Sequence, residues 1–359
     1  MTVGAARAAA VRWVAAHARP APGYRGAYFS GSTVGKPDDA ELAPSSDVDV
    51  MVVTARDEPP AKPGKLRYEG VLLEISCVPW AELRDPAAVL SSYHLAGGFR
   101  TDTVIDDPTG RLRALYAEVA PRFAGRDWVR RRCLDARHRV ESHLAAFDAA
   151  APFHEQVTAW MFPTGVTTHV LLVAALRNPT VRLRYPAVRD VLNAYGRPEL
   201  YPELLGLLGC ADVAEGRVRH HAAELARTFD ATVPVARTPF FFSSDLSAQA
   251  RPIAVDGSLE LLDRGEHREA VFWIVATLAR CHTVLAVDAP ALHAARLPAF
   301  EEAVAELTGI TGTTDILARR EEVVRYLPRL WAAAEDIMAA GPDVTGQTGG
   351  PLPERRPLC

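Results

Sequence analysis

Three acidic residues give the chain its first chemical signal. Asp47 and Asp49 stand two apart in the run DVDVMVV, whose valines and methionine mark it as a buried strand. Side chains alternate faces along a strand, so both carboxylates project to one side while Val48 and Val50 pack on the other. Glu74 is a single acid embedded in a later apolar run, VLLEISCV, which also reads as a strand. Acids in apolar strands are costly to bury unless paired or metal-bound, so the trio reads as a site for a hard cation such as Mg²⁺. Such an ion shares its coordination between carboxylates and substrate phosphates. In a site with two ions about 3.5 to 4 Å apart, one activates an attacking hydroxyl and the other steadies a leaving pyrophosphate.

A turn upstream supplies the partner for those phosphates. Gly31 and Ser32 open GSTVGK, which follows the β-prone run Tyr24 to Ser30 and is expected to lead into a helix. Glycine permits close backbone approach, Ser32 adds a hydroxyl donor, and the free amides of a following helix can hold phosphate oxygens. Lys36 is a further phosphate candidate. The segment is not a P-loop, because three residues rather than four separate its glycines and Pro37 follows Lys36.

This order, a Gly-Ser turn, an Asp-x-Asp strand and then an acid within a later strand, resembles the polymerase-beta-type nucleotidyltransferase superfamily, most closely its antibiotic-modifying aminoglycoside nucleotidyltransferases. The segment IDDPTGRL also resembles the strand-to-helix turn of those enzymes. The resemblance covers residues 24 to about 120. It implies metal-dependent transfer of a nucleoside monophosphate from a nucleotide to a hydroxyl; the favoured form is adenylylation from ATP, with two Mg²⁺ ions as cofactor. Asp47 and Asp49 are then metal ligands, Glu74 is the third ligand or general base, and Gly31 and Ser32 hold the triphosphate. One departure is the long insert between Ser32 and Asp47, which carries Pro37, Asp38, Asp39 and Glu41.

The elements that must position these residues follow from the rest of the pattern. The 359 residues suit about two domains. The reading is a catalytic domain over 1–120 with a small mixed sheet and flanking helices, a mainly α-helical acceptor-binding domain over 121–340, and a disordered Gly- and Pro-rich tail over 341–359. The opening 20 residues read as an amphipathic helix rather than a secretory signal. Asp107-Pro108 is expected to start a helix after a short strand. Residues 238–263 interrupt the helical pattern as a small hairpin or an irregular loop.

Composition narrows the partners. A formal charge of -4 argues against long nucleic acid. Five dispersed cysteines suggest neither disulfides nor zinc, which fits a cytoplasmic location. No stretch approaches the apolar length of a membrane span. The acceptor is expected to be a small molecule such as an aminoglycoside, with Glu155, Glu266 and Glu269, which lie beside aromatic residues, as candidate acids for a polycationic sugar. Two rivals stand beside this reading: an enzyme of the toxin-antitoxin type acting on protein or RNA, and a catalytically silent nucleotide-binding regulator.

Overall fold

Alternating apolar and polar residues build a mixed sheet in the N-terminal part of the molecule. A computed structural model describes residues 1–57 and 63–346. The first helix, α1 (Val3–Trp13), is capped by Thr2, whose hydroxyl accepts from the Ala5 amide at 3.2 Å. Strands β1 (Tyr24–Ser30), β2 (Val48–Thr54), β3 (Gly64–Tyr68) and β4 (Val71–Pro79) follow. The short helices α2 (Trp80–Leu83) and α3 (Pro86–Ser91), strand β5 (Val104–Asp106) and helix α4 (Arg111–Val119) complete this part. The strand order is β3-β4-β2-β1-β5, with β2 and β4 parallel and the other pairs antiparallel. Val48, Val50, Leu73 and Ile75 bury against the alanine-rich face of α1. On the other face, Tyr28, Val53 and Val78 pack with Leu83, Leu90, Phe99 and Leu112.

A mainly helical region follows, made of α5 (Arg126–Ala145), α6 (Phe153–Ala174), α7 (Arg184–Ala194), α8 (Leu200–Leu208), α9 (Glu215–Thr232), α10 (Gly257–Asp263), α11 (His267–Asp288), α12 (Pro290–Thr308) and α13 (Thr313–Ala340). One continuous apolar core runs through it. Helices α6 and α11 form its centre, and both are long and apolar enough to cross a membrane by length and composition. That corrects the expectation that no stretch approaches this length. Most of each helix is buried within the fold, where neighbouring helices cover it on all sides.

Four further local expectations change. The polar stretch before VLLEISCV is itself a strand, β3, and it turns into β4 through Glu69 and Gly70, whose φ values of 49° and 79° are what a two-residue type I′ hairpin requires. No α-helix follows Gly31; Gly31–Thr33 is a single 3₁₀ turn, and Pro37 disfavours a helical conformation at Lys36. Helix α4 starts at Arg111 rather than Asp107, and the Asp107 carboxylate reaches forward to accept from the Arg113 amide at 2.9 Å. The segment between α9 and α10, expected as a small hairpin or an irregular loop, takes the second form, with short turns at Ser243–Asp245, Ala248–Ala250 and Pro252–Asp256. The tail expected to be disordered begins with ordered chain, since Thr345 pairs with Gly125 and Val344 packs on the helical core; residues 347–359 lie outside those described.

Buried imidazoles give this core an acid sensitivity. His282 is fully buried, stacks on Phe300 and approaches His293 at 3.1 Å between Nδ1 atoms, with His154 close by. Burial, reinforced by the neighbouring histidines, lowers His282 from the ordinary 6.5 to about 3 and His154 to about 4. The unfolded chain therefore takes up these protons first, and stability is lost as pH falls from about 6.5 toward the folded values. The melting temperature is expected to fall between pH 7 and 4.5, and His282→Phe, which cannot titrate, should flatten that slope. An identical slope in the variant would show that the buried histidine does not drive it.

Candidate metal centre

The hydrogen-bond register of the sheet assembles the site. Parallel pairing of β2 with β4 sets Asp49 opposite Glu74, and antiparallel pairing of β3 with β4 sets Lys65 opposite the same Glu74. Asp47 immediately precedes β2, so it shares a face with Asp49 while Val48 and Val50 fill the core behind. Ligand oxygens of Asp47, Asp49 and Glu74 all lie within 4.8 Å of one another, and this is the one group of three or more potential ligands brought together among the described residues. All donors are carboxylate oxygens, the set a hard divalent cation takes.

Gly31 lies directly against this cluster. It pairs, through its neighbour Ser30, with Asp49 on the adjacent strand, and its φ of 66° is left-handed. A β-carbon at position 31 would sit 1.7 Å from Asp49 Oδ2, so the carboxylate occupies the space a side chain would need. Ser32 is half-buried beside it in the same turn, whereas Lys36 is exposed further along the loop. The structure thus gathers Gly31, Ser32, Asp47, Asp49 and Glu74.

It also brings in residues that the sequence did not announce. The Lys65 ammonium lies 2.5 Å from Glu74 Oε2, 3.0 Å from Asp245 Oδ1 and 3.4 Å from Asp47 Oδ2. Arg280 of α11 donates to the other Asp245 oxygen at 2.9 Å, and its guanidinium packs over the rings of Phe162 and Phe242. Arg182 donates to the Ser45 carbonyl at 3.2 Å and to the Gly257 carbonyl at 3.0 Å, while Ser45 donates to Glu260. Lys65 had one legible signal: a two-residue turn at Glu69-Gly70 places it across from Glu74 by simple counting. Asp245, 180 positions away on an irregular segment, had none.

Burial shapes the ionisation here. Removal from water, opposed by Lys65 and reinforced by Glu74, pushes the Asp47 carboxyl up to about 6. Burial works hardest against the Lys65 charge, yet Asp245, Glu74 and Asp47 together hold its ammonium above the ordinary lysine range. Burial likewise lowers Arg280 and Arg182 from the ordinary arginine value.

The three acids expected to bind the acceptor are elsewhere. Glu269 is buried and accepts from Arg189 at 3.0 Å and from the Tyr201 hydroxyl at 2.5 Å. Glu266 accepts from Arg189 at 2.6 Å and from Arg264 at 3.0 Å. Both lie at the start of α11, with Glu269 about 16 Å of helix away from Arg280. Glu155 is half-exposed in the first turn of α6, 4.0 Å from His154 Nε2. Among the aromatic residues of the helical region, Trp160, Trp273 and Phe242 are buried, while Phe241 is 83% exposed. A cavity of about 580 Å³ lined by Leu176, Arg177, Tyr195 and Asp343 shares no residue with the carboxylate cluster.

No protein-family model matches the chain, and no curated protein matches it either. The functional reading therefore rests on the site.

Gly31→Ala tests the tight approach to Asp49. It combines a left-handed backbone, costing about 1–2 kcal/mol for an L-residue, with a collision at the carboxylate. Urea denaturation should show a loss above about 1 kcal/mol, while Ser32→Ala stays within about 0.5 kcal/mol of wild type. Equal stability of Gly31→Ala and wild type would mean that the turn is not held against Asp49.

Proposed function

We propose that the chain is a Mg²⁺-dependent nucleotidyltransferase that moves a nucleoside monophosphate, by preference AMP from ATP, to a hydroxyl of a small molecule such as an aminoglycoside or a related natural product. The observation that carries this reading is the convergence of Asp47, Asp49 and Glu74 within 4.8 Å on neighbouring strands, with the Gly31-Ser32 turn against Asp49. Asp47 and Asp49 would hold the ion, with Glu74 beside them. When bound, the ion supplies Lewis acidity at the phosphates. Gly31 leaves room for the Asp49 carboxylate at the centre, and the Ser32 hydroxyl donates to a phosphate oxygen. The acceptor oxygen forms a bond to the α-phosphorus, the bond to the pyrophosphate oxygen breaks, and the acceptor's proton passes to a carboxylate of the cluster. Lys65 and Arg280 moderate the negative charge that incoming phosphates would otherwise meet.

The helical region bounds this centre through Asp245, Arg280 and Arg182, which makes it the part of the chain suited to choosing the acceptor. An acceptor site is not assigned to Glu266 and Glu269, because Arg189 already pairs with both and Arg264 with Glu266. The cytoplasmic location and the absence of a long nucleic-acid partner remain parts of the same proposal.

Calorimetric titration of a non-hydrolysable ATP analogue, with and without Mg²⁺, tests the centre. Metal-dependent binding is expected in wild type and should fall at least about tenfold in Asp47→Asn, with the fold retained by circular dichroism. Asp49→Asn should abolish transfer to any acceptor that wild type modifies. Full activity in that variant would falsify the assignment, and nucleotide binding without transfer to any acceptor would favour the silent regulator.

A further inference from the structure

The Asp245 carboxylate is bridged between two cations that the fold holds from opposite sides. Its Oδ1 lies 3.0 Å from the Lys65 ammonium, and its Oδ2 accepts from Arg280 at 2.9 Å. Lys65 is mounted on β3 with its side chain 5% exposed. Arg280 stands on α11 with its side chain 10% exposed and its guanidinium against the rings of Phe162, Phe242 and Trp273. An ammonium and a guanidinium facing one oxyanion form an arrangement that grips a phosphate as readily as a carboxylate. The same ammonium reaches Glu74 and Asp47, so the bridge adjoins the metal centre directly.

The bridge also holds donor capacity that this carboxylate does not use. The Arg280 Nε–H is buried without a hydrogen-bond partner among the described residues, and so is the hydroxyl of Ser244, which precedes Asp245 in the turn Ser243–Asp245. Buried donors are rarely left unpaired, so two of them beside one oxyanion mark a place made for more acceptor atoms than a carboxylate supplies. Of the three bridged groups Asp245 is the most exposed, at 22%, and it stands on irregular chain rather than on a strand or a long helix.

We propose that Asp245 is a built-in substitute for a substrate phosphate: in the ligand-free chain its carboxylate occupies a phosphate subsite formed by Lys65 and Arg280, and the triphosphate of the incoming nucleotide displaces it. This rests on the nucleotidyltransferase reading above and adds to it two phosphate-binding residues and a self-inhibitory contact. Exchanging one oxyanion for another leaves each buried cation with a counterion before and after binding. A phosphate carries more acceptor oxygens than a carboxylate, which offers partners to the Ser244 hydroxyl and the Arg280 Nε–H. The two anions do not share the subsite, because like charges against the same buried cations repel. Asp245 leaves by turning its side chain toward solvent while Lys65 and Arg280 stay in place. An internal competitor lowers apparent affinity by the fraction of time it holds the subsite, so its removal tightens binding.

Calorimetric titration of the full-length chain with a non-hydrolysable ATP analogue and Mg²⁺, and separately with adenosine, tests the exchange. Asp245→Asn keeps the shape and removes the charge; it is expected to bind the analogue at least about tenfold more tightly than wild type and to leave adenosine unchanged. Adding Arg280→Met to that variant should erase the gain. Asp336→Asn, which removes an exposed charge on α13, should produce none. Circular dichroism checks each fold; Asp245→Ser replaces Asp245→Asn, and Arg280→Gln replaces Arg280→Met, where the first choice does not fold. Unchanged or weaker binding of the analogue to Asp245→Asn would overturn the proposal and leave the carboxylate as a plain anchor for Lys65. An equal gain in Asp336→Asn, or an equal gain for adenosine, would overturn it as well. Absence of analogue binding to every folded form would bring down the nucleotide site itself, an outcome separate from the others.

Discussion

The parallel pairing of β2 with β4 is the constraint on which the rest of the site depends. It holds Asp49 and Glu74 on directly paired positions, where strands lie about 4.8 Å apart and like charges oppose one another. The pairing cannot relax. Val48, Val50, Leu73 and Ile75 bury against α1, and a slip of one residue would turn those side chains outward and drive the acids into the apolar layer. Hydrophobic burial on one face of the sheet thus enforces an electrostatic conflict on the other.

Compensation for that conflict arrives from several directions. β3 contributes Lys65 by hairpin geometry, and the helical region contributes Arg280 from the central helix α11, together with the Asp245 carboxylate that pairs with both cations and anchors Lys65. Arg280 is sandwiched by aromatic rings, so its charge is held in place by packing as much as by its ion pair. Gly31 closes the remaining side, its missing side chain giving the Asp49 carboxylate its place. The site is consequently a balance of charges enclosed by two apolar cores rather than a loose acidic cleft.

Much of the sheet was legible because it follows period-two rules. β1 and the valine-rich β2 are where alternation puts them, and the embedded position of Glu74 in β4 follows from its apolar neighbours. β3 was obscured because only half of its residues are apolar and its turn residues, Glu69 and Gly70, do not form one of the most common hairpin pairs. Helix α6 offered no periodicity, since it is apolar all round and carries Pro163 internally. The three acids of the centre were readable from local spacing, and the structure does bring them together. Of their charged neighbours, Lys65 follows from counting back through the Glu69-Gly70 turn, whereas Asp245 and Arg280 reach the site through long-range packing that leaves no mark in the spacing around Asp47. Glu266 and Glu269 illustrate the reverse: their acidity was visible, but Arg189, which occupies them, lies some 80 positions away.

The tie between Lys65 and Asp245 bears on how freely the two parts of this chain could be exchanged in evolution or engineering. The sheet alone contains the three acids and Lys65, yet not the Asp245 carboxylate that helps hold the ammonium in place. Cut free of the helical region, Lys65 would lose a counterion and Glu74 would share its ammonium with water. A different helical partner could be grafted onto this sheet only if it returned a carboxylate to the edge of β3. The modularity suggested by a sheet followed by helices is therefore conditional, and the condition is a single acidic side chain at the seam.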